Sequence, residues 1–150
     1  MRKSLCLALA LLLVSATAFA EYTRVINGRF GFSLVIPAQF HAEDSSENGD
    51  GFIITNQPLD MRAYGGIQIF SFGEEYYLEI MAEQYDSIDS YQFEDGIYGY
   101  IMRNDTEVLY VRVSEECEAN FYVNFAADPE WYIDSPDLFD SIARTLSFPD

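Results

Sequence analysis

Apolar and polar positions alternate with a period of two over the last third of the chain. Ala119, Phe121, Val123 and Phe125 fall on one side, and Asn120 and Asn124 on the other. That is the signature of an antiparallel strand with one face on a core and the other toward solvent. Leu109, Val111 and Val113 share a face in the same way. Three successive strands are predicted, over residues 97–103, 107–113 and 117–125, the first two joined by a hairpin at Asn104-Asp105-Thr106. Upstream, residues 23–27 and 31–36 read as strands around a tight turn at Asn27-Gly28, and Pro37 ends the second. Residues 51–56 (GFIITN) form another strand candidate, and residues 57–60, with Pro58, a turn. In residues 66–72 (GIQIFSF), Ile67 and Ile69 point one way and Phe70 and Phe72 the other, so this strand is expected to be covered on both faces.

The period changes between residues 74 and 88. Tyr77, Ile80, Met81, Tyr85 and Ile88 recur at spacings of three and four, which predicts an amphipathic helix. Glu74 and Glu75 lie in its first turn, where negative charge complements the helix dipole. A second helix is marked by Ser135 at the N-cap, Pro136 at N1 and Asp137 at N2, with Leu138, Phe139, Ile142 and Leu146 on its buried face. Strands, helix, strands, helix is the order of an α+β domain with a mostly antiparallel sheet.

The first twenty residues stand apart. Arg2 and Lys3 precede a ten-residue apolar run, Leu5 to Val14, and Ala18-Phe19-Ala20 has the small-x-small pattern of a signal-peptidase site. The run is too short to span a bilayer as a helix. Cys6 lies within it rather than at the cleavage site, against a lipid anchor. The expectation is a signal peptide over residues 1–20, one domain over 21–150, no stable membrane insertion after cleavage, and a periplasmic or secreted product.

Cleavage sharpens the charge. Without Arg2 and Lys3, six of the eight cations remain against 25 acids, a formal net of −19. The six are Arg24, Arg29, Arg62, Arg103, Arg112 and Arg144, and no lysine is left. Such a field disfavours nucleic acid and anionic lipid as partners, and lysine-based covalent chemistry is excluded. Cys117 is then the single cysteine, so no internal disulfide can form, although pairing between chains stays open.

Several stretches carry a family resemblance. Asn27 to Pro37 (NGRFGFSLVIP), Asn48-Gly49-Asp50-Gly51, Asp95-Gly96-Ile97-Tyr98 and the closing Ile142-Ala143-Arg144-Thr145-Leu146-Ser147-Phe148 resemble small exported bacterial proteins of uncharacterised function. That group is similar to the PsbP-like fold. The resemblance implies a sandwich in which two helices cover a mostly antiparallel sheet, and binding or assembly factors rather than enzymes. It supplies no catalytic motif and no partner.

The sharpest chemical candidate is the acidic stretch His41 to Ile54. Asp44, Ser46, Asn48, Gly49 and Asp50 have the spacing of the first half of a calcium loop. The twelfth position, however, is Thr55 instead of the bidentate glutamate, and Gly51 replaces the apolar residue at position eight. A polar turn is the first reading, and a weak calcium site using Asp44, Ser46, Asn48 and Asp50 within residues 43–50 is the alternative. His41 is the lone histidine, which rules out a multi-histidine zinc site in one chain. No nucleophile elbow or phosphate-binding glycine loop is present. The expectation is therefore a non-catalytic module without cofactor, binding an unknown protein or envelope component. An acid/base hydrolase of cell-envelope material is the alternative; with 25 acids, carboxylate pairs alone specify little.

Overall fold

The computed structural model describes residues 21–55, 58–67 and 73–149. The leader expected over residues 1–20, and the part of the predicted strand beyond Ile67, lie outside the described residues.

Among the described residues nine strands run in chain order: β1 (Tyr22–Ile26), β2 (Ser33–Pro37), β3 (His41–Asp44), β4 (Gly51–Thr55), β5 (Asp60–Ile67), β6 (Ser87–Gln92), β7 (Tyr98–Arg103), β8 (Glu107–Val113) and β9 (Cys117–Asn124). Three helices accompany them among the described residues: α1 (Glu74–Met81), α2 (Pro129–Asp134) and α3 (Pro136–Ala143). β1 and β2 form a separate hairpin. The other seven strands make one sheet, ordered β3-β4-β5-β9-β8-β7-β6, with every neighbouring pair antiparallel. The α+β architecture expected from the pattern is present, with three described helices rather than two.

One sheet face carries the main core. Met61, Ala63, Ile101, Val108, Tyr110, Ala119, Phe121 and Val123 pack there against Phe32, Leu34 and Ile36 of the hairpin region and Phe139, Ile142 and Leu146 of the chain end. Seams of hydrogen bonds lock these layers. Ser33 and Ser147 exchange backbone bonds of 2.7 and 3.0 Å, and the Val35 amide donates to Thr145 Oγ1 at 2.8 Å. Gly65 on β5 is matched to Phe30, because a Cβ there would lie 2.6 Å from the ring.

The opposite face is covered over β7, β8 and part of β9 by α1, whose Tyr77 packs with Met102, Leu109 and Val111. This corrects the expectation that β9 has a solvated side: Glu118 and Asn120, alternating with the core residues, are buried. The predicted helix over 74–88 is also corrected, since α1 ends at Met81 and Ile88 belongs to β6. Tyr85 and Ile88 still join the α1 cluster, so their spacing reports burial on a shared face, reached through a turn and a strand. The strand expected over 66–72 begins earlier, at Asp60, and the acidic stretch begins as edge strand β3.

Helix α2 was not expected. Asp128 caps it, its Oδ1 accepting from the Trp131 amide at 3.0 Å, and Tyr132 stacks between Phe125 and Phe139 at centroid distances of 4.2 and 5.6 Å. Ser135 occupies the N-cap of α3 as expected, but its side chain makes no capping bond. Asp128→Ala is therefore expected to destabilise the protein by about 1 kcal/mol, and Ser135→Ala by much less, measured by urea unfolding.

Candidate functional site

The acidic stretch and the strands beside it build an open cleft. After Asp44 at the end of β3, the chain turns through residues 45–50 and re-enters the sheet at Gly51. The Ser45 amide donates to the Gly51 carbonyl at 2.9 Å, and the Gly49 amide to the Ser46 carbonyl at 3.1 Å. Gly49 has φ 71°, a conformation that side chains resist. The turn is held from outside by the β1–β2 connection. Buried Asn27 accepts the Arg29 and Phe30 amides on Oδ1 at 3.1 and 2.8 Å and donates Nδ2 to the Gly49 carbonyl at 2.8 Å. Arg29 donates to the Asn48 carbonyl at 3.1 Å and pairs with Asp50.

Beside this turn, β5 and β9 present Arg62, Tyr64 and Tyr122 on the sheet face that carries α1. The register places Arg62 opposite Tyr122 and Tyr64 opposite Asn120. Ser45, Ser46, Asp50, Phe52, Arg62, Tyr64 and Tyr122 line a cleft of about 410 Å³. Tyr64 and Tyr122 meet edge to face at 6.1 Å. Arg62 Nε donates to Asp60 Oδ1 at 3.1 Å, and the Tyr122 hydroxyl donates to Asp60 Oδ2 at 3.3 Å. Burial, reinforced by the nearby Glu118 charge for Tyr64 and the Asp60 charge for Tyr122, raises both phenols to about 12. Both therefore remain protonated at any physiological pH.

Of the four residues of the calcium alternative, Asp44 ends β3, and Ser46, Asn48 and Asp50 follow it in the turn. Asp44 is paired in register with Phe52. Ser46 Oγ donates to Asn48 Oδ1, and Asp50 faces the Arg29 guanidinium. Among the described residues no group of three or more His, Cys, Asp or Glu is close enough to hold a metal ion. His41 is exposed on edge strand β3, with Nε2 3.6 Å from Glu43 Oε1. Cys117 is half-buried at the start of β9.

Two further polar features lie elsewhere. A groove of about 360 Å³ between the β1–β2 hairpin and the chain end is lined by Tyr22, Arg24, Glu94 and Thr145, among others. Within the body, Arg112 is buried with Nη2 2.6 Å from Asp95 Oδ2, while its Nε and Nη1 have no partner among the described residues. Among the described residues, no helix is long and apolar enough to cross a membrane.

Neither a family model nor a curated protein matches this chain. Among solved structures, the chain is similar to cyanobacterial PsbP (CyanoP) from Synechocystis sp. PCC 6803, with a TM-score of 0.62 at 13% sequence identity. The match covers 90% of this chain and 96% of that one. The fold is therefore PsbP-like, as the resemblance of the motifs implied. Two of those motif stretches turn out to be in contact, because Asn27 and Arg29 of the first hold Gly49 and Asp50 of the second.

Sequence reasoning found the turn but not the rest of the cleft. Arg62 and Tyr64 fall between predicted elements, and Tyr122 lies on the side of β9 read as solvated. The signal that could have found them was the set of large polar-tipped residues, Arg62, Tyr64 and Tyr122, on positions that alternate with small or apolar ones.

Proposed function

We propose that the protein is an exported, non-catalytic binding module, delivered by cleavage after Ala20 to the periplasm or beyond, whose partner is a component of the cell envelope. The cleft beside residues 45–50 is its recognition surface. The observation that carries this reading is that both ionic groups lining the cleft are already matched. Asp50 is held by Arg29, and Arg62 is held by Asp60. Matched charges fix side chains and present hydrogen bonds, but leave no unpaired carboxylate for proton transfer. The PsbP-like fold agrees with an accessory or binding role.

The test is site-specific photocrosslinking in the native cell. A photoreactive phenylalanine at Tyr64 is expected to yield a discrete adduct, and the same probe at exposed Ile133 of α2 none. Mass spectrometry of the exported product should place its N-terminus at Glu21. Equal labelling from both probes would remove the cleft from the account, and turnover of an envelope substrate abolished by Asp50→Asn would replace binding with catalysis.

A further inference from the structure

We infer that the cleft takes a neutral carbohydrate, with one sugar ring seated against Tyr64. The inference deepens the binding-module reading and rests on it. Ligand charge decides first. An anion would approach a chain whose exported portion carries a formal net of −19, and long-range repulsion opposes it. A cation meets the opposite difficulty locally. The Asp50 carboxylate is occupied by Arg29, and the guanidinium of Arg62, 44% exposed, stands in the cleft wall. A cationic ligand would have to displace one arginine and sit beside the other. Neutral ligands avoid both costs.

Shape and chemistry then select among neutral ligands. Tyr64 is 36% exposed, and its ring meets that of Tyr122 edge to face, giving a flat aromatic surface at the cleft. Such a face suits the C–H side of a pyranose ring, where weak C–H contacts to an aromatic add to burial. Around it stand groups that can serve hydroxyls: the Ser46 hydroxyl, the Asp50 carboxylate and the remaining N–H groups of Arg62. Ion pairs hold Asp50 and Arg62, and Ser46 Oγ donates to Asn48 Oδ1, so less side-chain freedom is left to lose on binding. A volume of about 410 Å³ falls within the small-ligand range, roughly 300–1,000 Å³.

The experiment is amide NMR of the purified protein titrated to millimolar concentration. The probes are three neutral tetrasaccharides (cellotetraose, chitotetraose and maltotetraose), tetralysine and trigalacturonate. At least one neutral sugar is expected to move the amides of Ser46, Arg62, Tyr64 and Tyr122, and trigalacturonate none. Tyr64→Ala should weaken that binding about tenfold, whereas Tyr64→Phe, which keeps the stacking face, should hold within about threefold. If tetralysine moves the cleft amides and no sugar does, the carbohydrate assignment is wrong and the binding site stands. If no probe moves them and the Tyr64 photocrosslink is also absent, both fall. Should sugar binding survive Tyr64→Ala in a variant with an otherwise unchanged spectrum, the seat of the ring is elsewhere and the inference is overturned.

Discussion

Asp95→Ala is expected to destabilise the protein by about 2–3 kcal/mol, while Arg112→Met stays within about 1 kcal/mol of the parent. Arg112 lies on β8 on the main-core side of the sheet, opposite Ala119, and only 6% of its side chain is exposed. Its guanidinium sits 5.3 Å from the centroid of the Phe93 ring. Of its three nitrogens, Nη2 reaches Asp95 at 2.6 Å, and Nε and Nη1 have no hydrogen-bond partner among the described residues. Burial pulls its pKa below the ordinary value, with the Asp95 charge opposing. The buried cation is therefore poorly compensated, and Asp95 is its main support.

Removing that support leaves a charge in a low-dielectric site, which costs about 3–5 kcal/mol for a fully buried pair. Asp95 is 39% exposed, so water replaces part of the loss and the lower figure applies. Methionine at 112 keeps the aliphatic stem and discards the charge with its two unpartnered nitrogens, a change that is often neutral or better. Asp95 Oδ1 also accepts the Ile97 amide at 3.2 Å across the β6–β7 turn. Asp95→Asn separates the two roles, because it can keep the turn bond while dropping the charge. Urea midpoints at constant m-value report all three variants. If Arg112→Met costs as much as Asp95→Ala, the guanidinium contributes net stability, and its attraction to Asp95 outweighs the cost of burying it.

The same contrast between local pattern and long-range placement explains what the sequence disclosed. The β7–β8–β9 meander was legible because adjacent strands joined by short turns leave their register in local alternation; Asn104 Oδ1 fixes the first turn by accepting the Thr106 and Glu107 amides at 2.9 and 3.0 Å. Helix α3 was legible through Pro136 and Asp137. Edge strand β3 was not, since an edge needs only one partner and tolerates the charged His-Ala-Glu-Asp run that reads as a loop. The end of α1 was missed because Tyr85 and Ile88 bury on the face that α1 covers, so helical spacing continues past the helix itself. The cleft was half visible. Its turn is local, whereas Arg62 meets Tyr122 only through the pairing of β5 with β9, strands far apart in the chain.

Burial of Glu118 gives the second large effect, one that depends on pH. Glu118 is 6% exposed on the α1 side of β9. Gly66 of β5 and Val113 of β8 flank it in register, and the phenols of Tyr64 and Tyr77 are close enough to sense its charge. Asn120 donates to Oε1 at 3.2 Å, and Oε2 has no partner among the described residues. Burial raises the Glu118 pKa above its ordinary 4.5, and the Asn120 bond only partly offsets this. The folded state thus holds this proton more tightly than the unfolded chain. The resulting stabilisation is complete below the unfolded pKa and is lost as pH rises through the folded one. Each unit of pH within that window removes up to about 1.4 kcal/mol. Glu118→Gln keeps an acceptor for Asn120 and cannot ionise, so its stability should fall less steeply above about pH 4.5, with the variant the more stable protein at pH 8. Other carboxylates titrate in both proteins, and the parent-minus-variant difference cancels them. Urea unfolding across that range would show diverging curves; parallel curves would mean that Glu118 ionises as readily in the fold as in water, and that the polar seam beneath α1 is wet.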